Sequence, residues 1–111
     1  MWAVYDGPQL ARDTWERYEM YLFIDDQSVD GGGKGRVRIW RDDALIFDRT
    51  DVPTVTEPKG VIDFFYLFTY WNNEAPPDNT CYVDELAIAT SASPPPYKDA
   101  KGNAFIGKWV K

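Results

Sequence analysis

The residues of this chain best suited to recognise a ligand fall on two short alternating stretches. Arg17, Glu19 and Tyr21 occupy every second position of residues 15–24, and Arg38 and Trp40 do the same in residues 36–40. Successive side chains of a β-strand point to opposite faces, so each set shares one side of its strand. If the two strands are neighbours, cations, a carboxylate and flat aromatic rings meet on one outward surface. Thr69 and Trp71, from a third stretch, are further members. That combination suits a sugar, whose apolar ring face packs on aromatics while its hydroxyls or carboxylates take charged partners such as Arg. The same residues also read as a cross-strand ladder of Arg17, Glu19 and Arg38, with Trp40 capping a sheet edge. Two Arg outweigh the one Glu, so an acidic polysaccharide is the expected partner, held without catalysis. The rival expectation is a structural protein, a virion or surface component, whose exposed aromatics form the contacts of a homo-oligomer.

A second constellation is the loop Asp25-Asp26-Gln27-Ser28-Val29-Asp30-Gly31-Gly32-Gly33-Lys34-Gly35. Oxygen donors at Asp26, Ser28 and Asp30 followed by Gly31 resemble the start of a calcium loop, but Val37 stands where a closing Glu is required. Asp26 and Asp30 are therefore the candidates for Ca²⁺, against the plainer expectation of a solvated loop and no cofactor. Other chemistry is narrower still. The chain has no His, which removes Ser-His and Cys-His nucleophile pairs, an imidazole base and His-ligated zinc. Its one cysteine, Cys81, makes no internal disulfide and reads as a small buried hydrophobe. Asp84 and Glu85 are adjacent on an expected strand and so face opposite ways, which is wrong for a paired acid and base. Asp63 facing Glu19 is the remaining carboxylate pair.

These side chains need a scaffold, and the pattern supplies strands and turns nearly throughout. Residues 2–5 read as a short first strand closed by Asp6-Gly7-Pro8, and residues 9–14 are the one stretch able to hold a helical turn. In residues 15–24 the apolar set Tyr18, Met20, Leu22 and Ile24 is expected to face the core. Val37 and Ile39 do so in the next strand. Arg41-Asp42-Asp43 then turns the chain into residues 44–48 as a tight hairpin. Residues 61–71 read as a central strand and 81–89 as another. Residues 91–103, with Pro94-Pro95-Pro96, read as unable to join a sheet, and 104–110 as a last strand. The expectation is an all-β antiparallel sandwich over residues 1–91, a Pro-rich linker over 92–103 and a terminal strand of the same domain in 104–111. A chain of 111 residues is one domain by length. Its net charge of −6 argues against nucleic acid, and no apolar run approaches the ~20 residues that span a bilayer. Residues 1–6 lack the basic start and apolar stretch of a signal peptide, and the chain reads as a piece of something longer.

Several of these segments together resemble a known family. Trp15-Glu16-Arg17-Tyr18-Glu19-Met20-Tyr21 leads to Asp30-Gly31. Gly35-Arg36-Val37-Arg38-Ile39-Trp40-Arg41-Asp42-Asp43-Ala44-Leu45-Ile46-Phe47-Asp48 then follows. This order is similar to the concanavalin A-like lectin/glucanase jelly rolls, nearest the alginate and glucuronan lyase branch. Tyr82-Val83-Asp84-Glu85-Leu86-Ala87-Ile88-Ala89-Thr90-Ser91 resembles the strand near the end of those domains. Asp43 stands where that family usually has Gly, a departure that costs turn stability only. The resemblance covers roughly residues 14–91 and implies a short or partial jelly roll at an extracellular or virion surface. It also implies a lyase variant in which Tyr21 acts as base and acid while Arg17 or Arg38 neutralises a substrate carboxylate. The absence of His and of half the expected sheet leaves binding as the preferred reading.

Overall fold

The computed structural model describes residue 7, residues 13–63 and residues 82–107. Within them all regular structure is β and every sheet is antiparallel, as the alternating patterns require. Strand β1 (Tyr18–Phe23) pairs with β2 (Arg36–Arg41), which pairs with β3 (Ala44–Arg49). A separate two-stranded ladder joins β4 (Tyr97–Lys98) to β5 (Ala104–Phe105).

The β2–β3 connection is the tight hairpin expected from Asp42-Asp43. Both residues adopt left-handed conformations, with φ of 47° and 72°, matching the twist of the flanking strands in the way of a type I′ turn. Asp tolerates this region better than most residues, though less readily than Gly. The turn also grips the entry to β1. Arg17 N–H donates to Asp42 Oδ1 at 3.0 Å, Asp42 N–H donates to the Arg17 carbonyl at 2.9 Å, and the Arg17 guanidinium pairs with Asp43. Further along, Ile39 faces Phe47 while Trp40 faces Leu45, so Ile46 is an extra residue that bulges β3 and adds local twist.

The register Glu19↔Trp40, Tyr21↔Arg38 and Phe23↔Arg36 puts these six on one side of the sheet, together with Asp48 opposite Arg38. The other side carries Tyr18, Met20, Leu22, Val37, Ile39 and Phe47. The sharing of faces is as expected from alternation, but the expected burial fails at Trp40, Tyr18, Met20 and Ile24, while Leu22, Val37 and Ile39 are half-buried. Trp40, read as outward, is 1% exposed and is the largest fully buried side chain among the described residues. Met20, read as core, is 59% exposed, and Tyr18 and Ile24 are exposed with it. The cause lies outside these strands. The hairpin β4–β5 packs on the Glu19–Trp40 side, and alternation within a strand cannot say which side a distant segment will cover.

Other corrections follow the same chain. Tyr97–Lys98 joins a ladder although it follows three prolines, because the prolines end just before it. Residues 82–89 form no strand; Glu85 has φ of 54°, which breaks an extended run, and Tyr82, Val83, Leu86 and Ile88 are exposed. Residues 61–63 are likewise exposed and outside any strand. The expected strand at 2–5, residues 64–71 with Thr69 and Trp71, and Cys81 lie outside the described residues. The loop after β1 is ordered by its own hydrogen bonds. Asp25 accepts the amides of Gln27 and Lys34 on its carboxylate, at 3.0 and 2.8 Å, and the amide of Thr54 on its carbonyl at 3.0 Å. Gly35 is buried there, and a Cβ on it would meet the Gln27 carbonyl at 2.7 Å.

Candidate functional site

The side of the sheet that carries Tyr21 and Arg38 has two parts, one charged and one covered. In the charged part, alternation along β2 brings Arg36 and Arg38 to the same side, and the β2–β3 register sets Asp48 opposite Arg38, with its carboxylate near both guanidinium groups. Arg36 makes a bidentate pair with Asp48, Nε to Oδ1 at 2.7 Å and Nη2 to Oδ2 at 2.6 Å. These hydrogen bonds hold the Asp48 carboxyl below the usual carboxylate range; burial opposes the shift, and the charges of Arg36 and Arg38 reinforce it. The same contact raises Arg36. Arg38 is held differently. Its guanidinium lies 5.2 Å from the centroid of the Tyr21 ring, a cation–π distance. Its Nε is buried 3.5 Å from Asp48 Oδ2 and makes no hydrogen bond. Arg38 is thus drawn to Asp48 by charge at a longer distance than Arg36 is.

In the covered part, Trp40 Nε1 donates to Asp99 Oδ2 at 2.9 Å, and the indole stacks on Phe105 with centroids 5.8 Å apart and planes at 28°. Both carboxylate oxygens of Glu19 accept backbone amides just past β5, from Ile106 and, at 3.0 Å, from Gly107. Gly107 has φ of 70° and a Cβ there would meet the Tyr97 ring at 2.9 Å, so a glycine is needed for this approach. Burial pushes the Asp99 carboxyl up. Hydrogen bonds from the Asn103 side chain, Trp40, and the amides of Asn103 and Lys101 outweigh that, so it titrates well below the usual carboxylate range.

The six candidates therefore separate. Tyr21 and Arg38 come together as expected. Glu19 and Trp40 are on the same side but covered, and neither the Arg17–Glu19–Arg38 ladder nor an edge-capping Trp40 is formed. Arg17 is at the hairpin turn, paired with Asp43, and is not beside Arg38. Trp71 lies outside the described residues. Asp26 and Asp30 belong to the loop, where Asp25 is the organising carboxylate and is held below its usual range, first by the Gln27 amide and then by that of Lys34. No cluster of three or more metal-ligating side chains occurs among the described residues. Asp84 is exposed and caps the Glu85 amide at 2.7 Å, and Asp63 is exposed. Asp99, Asn103 and Phe105 were not singled out by sequence reasoning. The signal was present: Asp99-Ala100-Lys101-Gly102-Asn103 between Tyr97 and Phe105 is a turn flanked by aromatics, with Gly102 at φ of 84°.

No family model, no curated protein and no solved structure matches the chain.

Proposed function

We propose that this chain is a non-catalytic binding module for an acidic glycan, a small jelly-roll-like β-sandwich of the concanavalin A-like kind whose site centres on Tyr21 and Arg38. The observation that carries the reading is the Arg38 guanidinium, held over the Tyr21 ring beside the Arg36–Asp48 pair. A sugar carboxylate is attracted by the two cations Arg36 and Arg38, which share one carboxylate, and Tyr21 sets an aromatic ring beside them. Catalysis has less support. A lyase needs a proton acceptor and a carboxylate neutraliser around a reacting carbon, and Arg17, the second cation that reading called on, is committed to Asp43.

Isothermal titration with an oligogalacturonate tests the proposal. A dissociation constant in the millimolar to micromolar range is expected, corresponding to ~4–8 kcal/mol. Arg38→Gln should weaken binding and flatten its salt dependence, and Tyr21→Ala should weaken it further. Unchanged affinity in a folded Arg38→Gln variant would end the reading.

A second reading, assembly with further copies of the chain, is favoured by one observation. The apolar side of the three-stranded sheet is open at Met20 and Tyr18, while the charges at its corners are already paired as Glu16–Arg41 and Arg49–Asp51. An apolar centre with neutralised corners is the anatomy of a protein contact. Sedimentation velocity separates the two readings: a dimer that Met20→Glu dissociates favours assembly, and a monomer at ~100 μM, well above the affinity of a stable dimer, removes it.

A further inference from the structure

We propose that the β4–β5 hairpin is a strap that competes with ligand for Trp40, opening to extend the site along the sheet. The proposal rests on the glycan-binding reading above and concerns the end of the face that is covered. Three residue pairs run in line on this side of β1 and β2: Phe23 and Arg36, Tyr21 and Arg38, Glu19 and Trp40. From first to last they span about 13 Å, at ~3.3 Å per residue. Among the described residues the strap's hydrogen bonds and ring contact to this side fall on the last pair.

Among the described residues its attachment is confined to one end of the sheet. The strap is a sheet of its own, with two residue pairs and no ladder to β1–β3. An isolated two-stranded hairpin is marginal by itself. Among the described residues it is joined to the sheet by one indole hydrogen bond, one ring stack and one carboxylate receiving two amides, and all three end on Trp40 or Glu19. The tether behind it, residues 91–96, contains Pro94-Pro95-Pro96 and forms no strand. A short hairpin behind an irregular tether is the kind of segment that opens locally before a whole domain unfolds.

The chemistry of the attachment imitates a ligand. The Phe105 ring lies nearly flat on the indole as a sugar face would, and the Asp99 carboxylate takes the indole N–H as a sugar oxygen would. Backbone N–H groups satisfy Glu19 as sugar hydroxyls would. When the strap leaves, Trp40 and Glu19 present an aromatic plate and an acceptor directly beyond Tyr21 and Arg38. Affinity for a long ligand is then reduced by the fraction of chains whose strap is closed, and weakening the strap restores it.

The test uses the full chain, ¹⁵N-labelled, with hexagalacturonate as the probe and the Trp40 indole resonance assigned through Trp40→Phe. In the free protein the Trp40 indole N–H and the amides of Ile106 and Gly107 should exchange with solvent faster than the β1–β2 ladder, and faster still with probe bound. Phe105→Ala should bind the probe at least about threefold tighter than the native chain. Phe105→Leu, which keeps apolar volume but removes the stack, should do the same if the alanine variant does not fold. Equal or weaker binding by both variants, while Arg38→Gln weakens it, overturns the strap and leaves the glycan reading standing. Exchange at Trp40 only through global unfolding also overturns the strap. Absence of probe binding in the native chain and in both strap variants overturns the glycan reading, and ligand competition falls with it.

Discussion

Replacing Trp40 tests the central packing of the structure, and its cost can be worked from the contacts. The indole is 1% exposed, stacked on Phe105 and hydrogen-bonded to Asp99. Removing a buried aromatic to alanine costs ~3–5 kcal/mol, of which the ring pair accounts for about 0.5–1.5 kcal/mol. Small domains are stable by only ~5–15 kcal/mol, so Trp40→Ala should leave this one near its limit. Trp40→Phe keeps a ring against Phe105 but leaves Asp99 without the indole donor. A hydrogen bond to a charged group contributes ~1.5–3 kcal/mol, so the phenylalanine variant should lose roughly half as much as the alanine variant. Urea unfolding followed by far-ultraviolet circular dichroism measures both. With a slope of ~1–2 kcal/mol per molar, a loss of ~4 kcal/mol lowers the midpoint by ~2–4 M. The expectation from alternation alone, an outward Trp40, gives a change below about 0.5 kcal/mol. A loss that small in Trp40→Ala would refute the packing described here.

Three further outcomes are expected. Asp43→Gly should raise stability by up to about 1 kcal/mol in thermal unfolding, since glycine takes the 72° φ without strain while only an exposed ion pair with Arg17 is lost; a clear destabilisation would mean that the Arg17 grip outweighs the turn. Asp48 and Asp99 are both depressed in the folded state, so their contribution is fully present above the unfolded carboxylate value near ~4 and is lost as pH falls below it. The melting temperature should therefore be flat from neutral pH to about 4 on account of these groups and decline below, most steeply in the signal of the Trp40 indole. Calcium chloride should leave the melting temperature unchanged, because the loop carboxylate that organises the turn is already satisfied by the Gln27 and Lys34 amides; a chelator-reversible rise would make Asp26 and Asp30 ligands.

Local signals were read correctly where the physics is local. The alternation of residues 15–24 and 36–40 located β1 and β2 and sorted their side chains into the two sets that share a face. Asp42-Asp43 located the hairpin turn. Tyr21 and Arg38 came together because they are opposed in adjacent strands. What alternation could not supply is the side on which the rest of the chain packs. Trp40 looked like a surface group because Arg36 and Arg38 share its parity, and Glu19 because Arg17 shares its own, while their covering partners lie 59 and 87 residues away. The strap itself was hidden by its neighbours: three prolines ahead of Tyr97 argued for a linker, although proline forbids pairing only where it stands. Arg17 was misplaced because strand parity was extended one residue past the point where the Asp42-Asp43 turn takes hold.

The packing of Glu19 and the openness of Met20 turn the usual rule of substitution upside down in this sheet. In most half-buried strands a charged residue tolerates exchange and the apolar residue beside it does not. Here Glu19→Ala leaves two consecutive amides without their acceptor at a covered spot, whereas Met20→Gln or Met20→Thr changes a side chain that mostly meets water. Across a library of single variants, positions 19, 21, 38 and 40 should be the restrictive ones, and 18, 20 and 24 the permissive ones. The chain would then drift most freely on its greasiest side, where each replacement by a polar residue improves solubility at little cost in folding.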